Sequence, residues 1–247
     1  MPREKATRNP LPDLPIHRSL AELRAALSRG HAILIAEPGS GKTTLVPLLL
    51  LDEAWLAGRR ILMLEPRRPA ARMAARRMAA LLGETVAERV GYQVRFERRI
   101  SARTRIEVLT EGLLLRRLQA DPELQGVGLL IFDEFHERNL QGDLSLALSL
   151  DAVSGLRDDL RLLVMSATMD PAPLVSLMPA TAVRAPGRQH PVTLVHAATD
   201  GDLHDPVPAC LRVLASAISE SRGDVLVFLP GRREIERMCA MVQERWG

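Results

Sequence analysis

The chain has 247 residues, 47 % of them hydrophobic and 26 % charged, and 33 basic side chains against 30 acidic ones leave a net charge of +3. Those proportions are ordinary for a globular protein, and the length gives one large domain or one domain with part of another. The two cysteines, Cys210 and Cys239, are far apart and lack metal-ligand spacing, which excludes a disulfide scaffold or a cysteine zinc site and suits a reducing interior.

No run approaches the ~18 apolar residues of a membrane span, and the polar start Met1–Pro10 lacks the apolar stretch of a signal peptide. A cytoplasmic protein is expected. Residues 1–14 are charged and Pro-rich and are expected to form a mobile tail. Leu20, Leu23, Ala26 and Leu27 recur at helical spacing, which predicts an amphipathic helix over Ser19–Arg29, with Ser19 as cap and Gly30 as stop. The apolar run Ala32–Ile35 predicts a buried strand. A glycine-rich turn follows, then a Leu-rich helix interrupted by Pro47.

Arg60–Pro66 reads as a second buried strand and Ala70–Leu82 as a long helix closed by Gly83. Val90–Phe96 alternates like a strand, and Thr104–Thr110 is another, followed by a helix carrying Leu113, Leu114, Leu115 and Leu118. Gly126–Phe132 is strongly apolar, a Leu-rich helix spans about 141–154, and Leu160–Met165 is a further strand. Near-continuous apolar strands separated by helices predict an α/β fold: a mostly parallel sheet covered by helices on both faces. After a Pro-rich stretch, Pro191–His196 and Gly223–Pro230 are predicted strands, Thr199–Asp205 a polar loop, and Val207–Ser219 and Arg232–Arg245 helices. These begin a second α/β unit. The expected division is a domain over 15–190 and the start of an incomplete second one over 191–247.

The chemistry concentrates in Ala36-Glu-Pro-Gly-Ser-Gly-Lys-Thr-Thr44. Strand, glycine loop and helix are the context of a phosphate-binding loop. Gly39 and Gly41 allow close backbone approach, the N–H groups of Ser40 to Thr44 converge on an anion, and the helix adds its positive end. Lys42 suits the β- and γ-phosphates, and the Thr43 hydroxyl suits Mg²⁺. Lys5 and Lys42 are the only lysines in the chain, which makes the position of Lys42 informative. Ala36 departs from the strict pattern, which has glycine there, and a chance Gly-Lys-Thr turn is the alternative.

Asp133-Glu134 ends the strand over 126–132, on the edge where open α/β sheets place their ligands. Asp133 can hold Mg²⁺, and Glu134 can accept a proton from the attacking water. Adjacent carboxylates there need a compensating cation. Arg67 and Arg68, at a strand end that opens a helix, are suited either to donate to backbone phosphates, in which case binding would be sequence-tolerant and salt-sensitive, or to form an ion-paired helix start. Aromatic residues make up only 3 % of the chain, so phosphate grip is expected rather than extensive base stacking.

Ala36–Thr44, Glu65-Pro-Arg-Arg68, Thr110-Glu-Gly112, Asp133-Glu-Phe-His136 and Ser166-Ala-Thr168 occur in the order and spacing of the DEAH/DExH-box helicases of superfamily 2. The run Asp121–Leu140, with Gly155–Asp159 and Phe228–Gly231, resembles the bacterial HrpB-type helicases in particular, Phe135 included. The resemblance implies a RecA-like P-loop NTPase domain with the beginning of a second RecA-like lobe, using ATP and Mg²⁺. It implies Lys42, Thr43 and Asp133 as nucleotide and metal groups and Glu134 as general base. His136, Ser166 and Thr168 would couple nucleotide state to strand movement. Arg67, Arg68, Thr110 and Gly112 would contact single-stranded nucleic acid, RNA by family habit, although nothing in the residues themselves distinguishes RNA from DNA. The family's second lobe supplies arginine fingers from a Gln-x-x-Gly-Arg-x-x-Arg run that this sequence lacks. A chain that binds nucleotide, hydrolyses it slowly and does not unwind duplexes is therefore expected. The competing readings are a nucleotide kinase or other P-loop ATPase, and a non-enzymatic binding module.

Overall fold

The computed structural model describes residues 11–187, 191–197 and 205–247. The chain divides into a first unit, residues 1–189, and a second, residues 190–247.

In the first unit, helix α1 (Leu20–Arg29) runs into strand β1 (His31–Ala36), and the glycine loop leads to α2 (Lys42–Leu49). Strand β2 (Arg60–Glu65) and helix α3 (Arg68–Leu81) follow. A hairpin of β3 (Val90–Val94) and β4 (Glu97–Arg99) precedes β5 (Ile106–Thr110) and α4 (Glu111–Ala120). Then come β6 (Val127–Phe132), α5 (Leu140–Gly155), β7 (Arg161–Ser166), α6 (Ala172–Leu177) and β8 (Ala180–Ala185). The strands form one sheet in the order β4-β3-β5-β2-β6-β7-β1-β8, parallel throughout except for β4 against β3.

Period-two alternation splits the core in two. Ala32, Leu34, Ile61, Met63, Leu129, Ile131, Leu163 and Met165 face one cluster, which also holds residues of α1, α2 and α3. Their neighbours Ile33, Ile35, Leu62, Leu64, Leu130, Phe132, Leu162 and Val164 face the other, with residues of α4, α5 and α6. Burial on both faces is why these strands read as unbroken apolar runs.

Several expectations need correction. Ser19 stands at the cap position of α1, but its hydroxyl donates to the Arg184 carbonyl (3.0 Å) and caps nothing. Of the tail expected over 1–14, Leu11 and Leu14 instead pack against the core, and residues 1–10 lie outside the described residues. The alternating segment over 90–96 ends at Val94, where the chain turns back into β4. Helix α6 and strand β8 were not expected. β8 is an edge strand with only Val183 and Ala185 buried, too weak an apolar signal to stand out among prolines.

The second unit holds α7 (Pro206–Glu220) and α8 (Arg232–Trp246), joined through Val207, Leu211, Leu214 and Met238. The Asp205 side chain accepts from Val207 N at the start of α7 and pairs with Arg237 (2.8 Å). The strands predicted over 191–196 and 223–230 do not form: the described residues there have no ladder partner, and Leu226 and Phe228 stay exposed. Most of the loop predicted over 199–205 lies outside the described residues. Apolar composition alone does not make a strand, because the backbone needs a neighbour to bond.

His31 opens β1, and its Nδ1 accepts from Leu162 N of β7 (3.2 Å). Burial, with Arg161 nearby, holds the imidazole below its ordinary 6.5. The unfolded chain therefore binds the proton at a pH where the folded chain does not, and the stabilisation present above 6.5 is lost as pH falls through the folded value. The His31 contribution to the urea midpoint, read as the difference between the wild type and a His31 variant, should therefore shrink between about pH 7 and pH 5. His31→Asn, which keeps an acceptor and cannot titrate, should flatten that part of the profile.

Candidate functional site

All the parallel strands point their carboxyl ends to one edge, so the residues that follow them are neighbours in sheet order. The sequence sends the glycine loop there from β1, Asp133 from β6 and Ser166 from β7. Arg67 follows β2, Thr110 ends β5, and Arg95 follows β3.

At the loop, Gly39 and Gly41 take φ of 76° and 95°, a region that L residues disfavour. Lys42 begins α2, with Gly41 as its cap residue. Pro47 remains inside this helix, which ends two residues later. Behind the loop, Leu14 lies so close to Gly41 that a Cβ there would fall 2.8 Å from Leu14 Cδ1, and Ile16 N donates to the Ser40 carbonyl (3.1 Å). The Ser40 hydroxyl is buried without a partner. The side chain of Thr44 is half-buried.

Lys42 is only 5 % exposed, and its Nζ donates to Glu134 Oε1 at 2.9 Å. The Thr43 hydroxyl donates to Asp133 Oδ2 at 2.5 Å, and Glu134 N donates to Asp133 Oδ1 at 2.8 Å. Loop and box are thus interlocked by two adjacent pairs, and the compensating cation that the two carboxylates require is Lys42. Glu134 takes φ of 48°, a left-handed conformation in a non-glycine residue at the centre of the site. Its Oε2 lies 3.3 Å from His136 Nδ1, which in turn is 3.5 Å from Ala167 N, between Ser166 and Thr168. The Ser166 hydroxyl is buried and unpartnered, whereas Thr168 is exposed. Beside the loop a cleft of about 620 Å³ is lined by Ile35, Glu37, Thr168, Asp170 and Arg184, among others.

Burial pushes the Asp133 carboxyl up to about 6, against the Thr43 hydrogen bond that favours its ionised form. Glu65, the last residue of β2, entered the sequence reading only as the start of the Glu65–Arg68 run and was given no role. It is buried and its Oε1 has no partner. Burial first, then Asp133 and Glu134, push its carboxyl up to about 9, so it is a neutral acid behind the ionised pair. Its only sequence signal was a carboxylate at the end of an otherwise apolar strand.

The expected nucleic-acid residues occupy the other half of the edge. Arg67 and Arg68 are exposed where β2 passes into α3, and Arg67 pairs with Glu137. Thr110 pairs with Glu65 in the ladder and starts α4 without a side-chain cap bond. Gly112 lies against Gln141, where a Cβ would fall 2.9 Å from Oε1. The β3–β4 turn adds Arg95 stacked 4.7 Å over Phe96, whose side chain is 88 % exposed at φ 69°. This aromatic was concealed in the sequence by reading 90–96 as one strand.

A glycine loop whose lysine and threonine meet an Asp-Glu pair, on a parallel sheet with helices on both faces, defines a P-loop NTPase of the RecA-like class. Residues 19–175 match the family model described as DEAD/DEAH box helicase, and the chain belongs to that family. It is 44 % identical over 243 residues to the ATP-dependent RNA helicase HrpB of Escherichia coli (strain K12), covering 95 % of this chain and 29 % of that protein. Two solved structures are similar at 44 % identity. The E. coli DEAH/RHA helicase HrpB has a TM-score of 0.84 over 95 % of this chain and 30 % of that one. The E. coli DExH-box NTPase HrpB has a TM-score of 0.73 over 96 % and 30 %. The chain thus spans about three tenths of the length of these relatives.

Gly41→Ala should cost the loop roughly 1–2 kcal/mol through its positive φ, besides the clash with Leu14. Isothermal titration with a non-hydrolysable ATP analogue should read this as an affinity loss of about tenfold.

Proposed function

We propose that this chain binds ATP with Mg²⁺ at Gly39–Thr44 and Asp133. In the complete protein, hydrolysis there would drive movement along single-stranded RNA. The observation that carries the reading is the interlock of Lys42 with Glu134 and of Thr43 with Asp133. A hydroxyl and a carboxylate 2.5 Å apart are a suitable oxygen donor set for Mg²⁺, which keeps several waters and substrate oxygens as its other ligands. Among the described residues no three His, Cys, Asp or Glu side chains are grouped to hold a metal by themselves. The fit is therefore to a metal that arrives with the nucleotide, and its charge would polarise the γ-phosphate.

The residues act as follows. The loop amides and the positive end of α2 receive the phosphates, and Lys42 exchanges its contact with Glu134 for phosphate oxygens. Glu134, released from Lys42, orients the attacking water and accepts its proton. Its strained backbone holds the carboxylate toward the loop, and His136 fixes the second oxygen. His136 also touches the backbone of the 166–168 segment, which is the route by which nucleotide state would reach strand movement. Arg67, Arg68, Thr110 and Gly112, with the Arg95–Phe96 turn beside them, form the strand-binding half of the edge.

We further infer a first RecA-like domain over 15–190 and the start of a second over 191–247, in a cytoplasmic protein. Among the described residues no helix is long and apolar enough to cross a membrane. The sequence contains no Gln-x-x-Gly-Arg-x-x-Arg finger motif. Such an arginine contributes about 10³–10⁵ in rate, so this chain should bind ATP, hydrolyse it slowly and leave duplexes intact.

The test is ATP turnover with and without single-stranded RNA, beside equilibrium nucleotide binding. The 247-residue chain should bind ATP, with affinity lost in Lys42→Ala, and turn it over slowly. Robust unwinding by this chain would overturn the division of labour. In the full-length protein RNA should stimulate turnover, and the absence of stimulation would favour an ATPase unrelated to strand movement. Separately, Glu134→Gln in the full-length protein should spare ATP binding and reduce turnover by at least about 10²-fold; undiminished turnover would remove Glu134 as the base.

A further inference from the structure

An exposed ion pair reaches from one half of the edge to the other. Arg67 Nε and Nη2 both donate to Glu137 Oε2, at 3.2 and 3.0 Å. Arg67 is the second residue beyond β2 and 71 % exposed, so its guanidinium presents fixed donors to solvent on the strand-binding side. Glu137 is the last residue of a single 3-10 turn, Phe135–Glu137, directly beyond Glu134. Its carboxylate occupies the position that a backbone phosphate would take on Arg67: an oxyanion accepting two guanidinium N–H groups.

The turn has few ways to move. Glu137 N donates to the Glu134 carbonyl (2.9 Å), and the turn is bounded by two left-handed non-glycine residues, Glu134 at φ 48° and Arg138 at φ 38°. Phe135 is buried against Phe132. Beyond the turn, Arg138 is held by Asp143, while Asn139 accepts from Gly142 N at the head of α5 and donates to Glu111. Among these side chains Glu137 alone reaches across to the residues beyond β2. The same short turn carries Glu134 at its head and His136 within it.

We propose that Glu137 is a positioning residue that holds Arg67 in place of nucleic acid and releases it when a strand binds. One side chain then reports strand occupancy to the turn that presents Glu134 and His136. The proposal rests on the reading of Arg67 as a backbone grip. A solvent-exposed ion pair is weak, so a phosphodiester can displace it. Once Arg67 has turned to phosphate, Glu137 meets a like charge and withdraws, and the turn loses its outer tether. The coupling must run both ways, because binding linkage is reciprocal.

The test is a fluorescence-anisotropy titration of a labelled single-stranded oligouridylate RNA with the wild type, Glu137→Gln and Arg67→Ala, at low and raised salt. Glu137→Gln is isosteric at an exposed site and leaves the fold intact. It should tighten RNA binding about two- to fivefold at low salt, with the gain shrinking as salt screens the pair. Arg67→Ala should weaken binding and lower the salt slope by about 1. A second readout is the affinity for a non-hydrolysable ATP analogue with and without saturating RNA. The RNA-induced change seen in the wild type should contract toward none in Glu137→Gln. Unchanged or weaker RNA binding by Glu137→Gln, with Arg67→Ala impaired, would overturn the exchange while leaving Arg67 as a grip. Wild-type affinity in Arg67→Ala would overturn the reading of Arg67 itself, and the exchange with it.

Discussion

Everything at the working edge depends on the enclosure of one ammonium group. Lys42 is withdrawn from water between the glycine loop and the end of β6, and a buried cation is tolerable only beside an anion. Removing one partner of such a pair costs about 3–5 kcal/mol. The Glu134 contact is therefore what ties the loop to the sheet. It also explains the disposition of the other acids. Lys42 balances one carboxylate fully, Asp133 is stabilised by a hydroxyl and a backbone N–H, and Glu65, the third acid, is held neutral. On the proposed reading, an arriving polyphosphate would change this balance in one step, competing for the lysine and freeing the carboxylate that would handle the water.

Sheet order does the rest of the organising. Reading along the edge, the ends of β3, β5 and β2 carry the Arg95–Phe96 turn, Thr110 and the Arg67–Arg68 pair. The ends of β6, β7 and β1 carry the box, Ser166 and the glycine loop. The two groups of residues are interleaved in the sequence and separated in space, with β2 and β6 as the boundary. At about 4.8 Å between strands, the centres of the two halves are roughly 15 Å apart. The halves meet at their boundary, where the turn between Glu134 and Arg138 reaches Arg67. The two ion pairs touching that turn differ in kind. The Lys42 pair is largely enclosed and would yield only to a polyphosphate, whereas the Arg67 pair is exposed, contributes about 0–1 kcal/mol and would yield to a strand.

The parallel sheet and its two-sided core were legible because β1, β2, β6 and β7 are continuous apolar runs, and such runs have few other uses in a globular chain. The glycine loop and Asp133-Glu134 were legible because phosphate chemistry dictates residue types at fixed spacing. β8 was not, since an edge strand buries only alternate small residues and sits among prolines. The hairpin turn was missed because Arg95 and Phe96 continue the alternation of β3, and only a positive φ reveals the reversal. Glu65 was hidden for a different reason: its neutral state is a property of three acids and one lysine brought together from distant parts of the chain. The segments over 191–196 and 223–230 have strand composition without strand structure. Composition supplies the face of a strand, and the hydrogen-bond partner has to come from elsewhere.

The packing of Leu14 against Gly41 bears on where this domain can be said to begin. The first α-helix starts at Leu20 behind a short 3-10 helix, Pro15–Ser19, and a boundary drawn from secondary structure would fall at Pro15. Yet the floor of the phosphate loop is made partly by the aliphatic side chain of Leu14 and by the backbone bond from Ile16 to Ser40. A cut at residue 15 or later would leave sheet and helices whole while opening a hole beneath the loop. The domain proposed over 15–190 therefore also needs Leu11 and Leu14, just ahead of it, as a wedge beneath the loop.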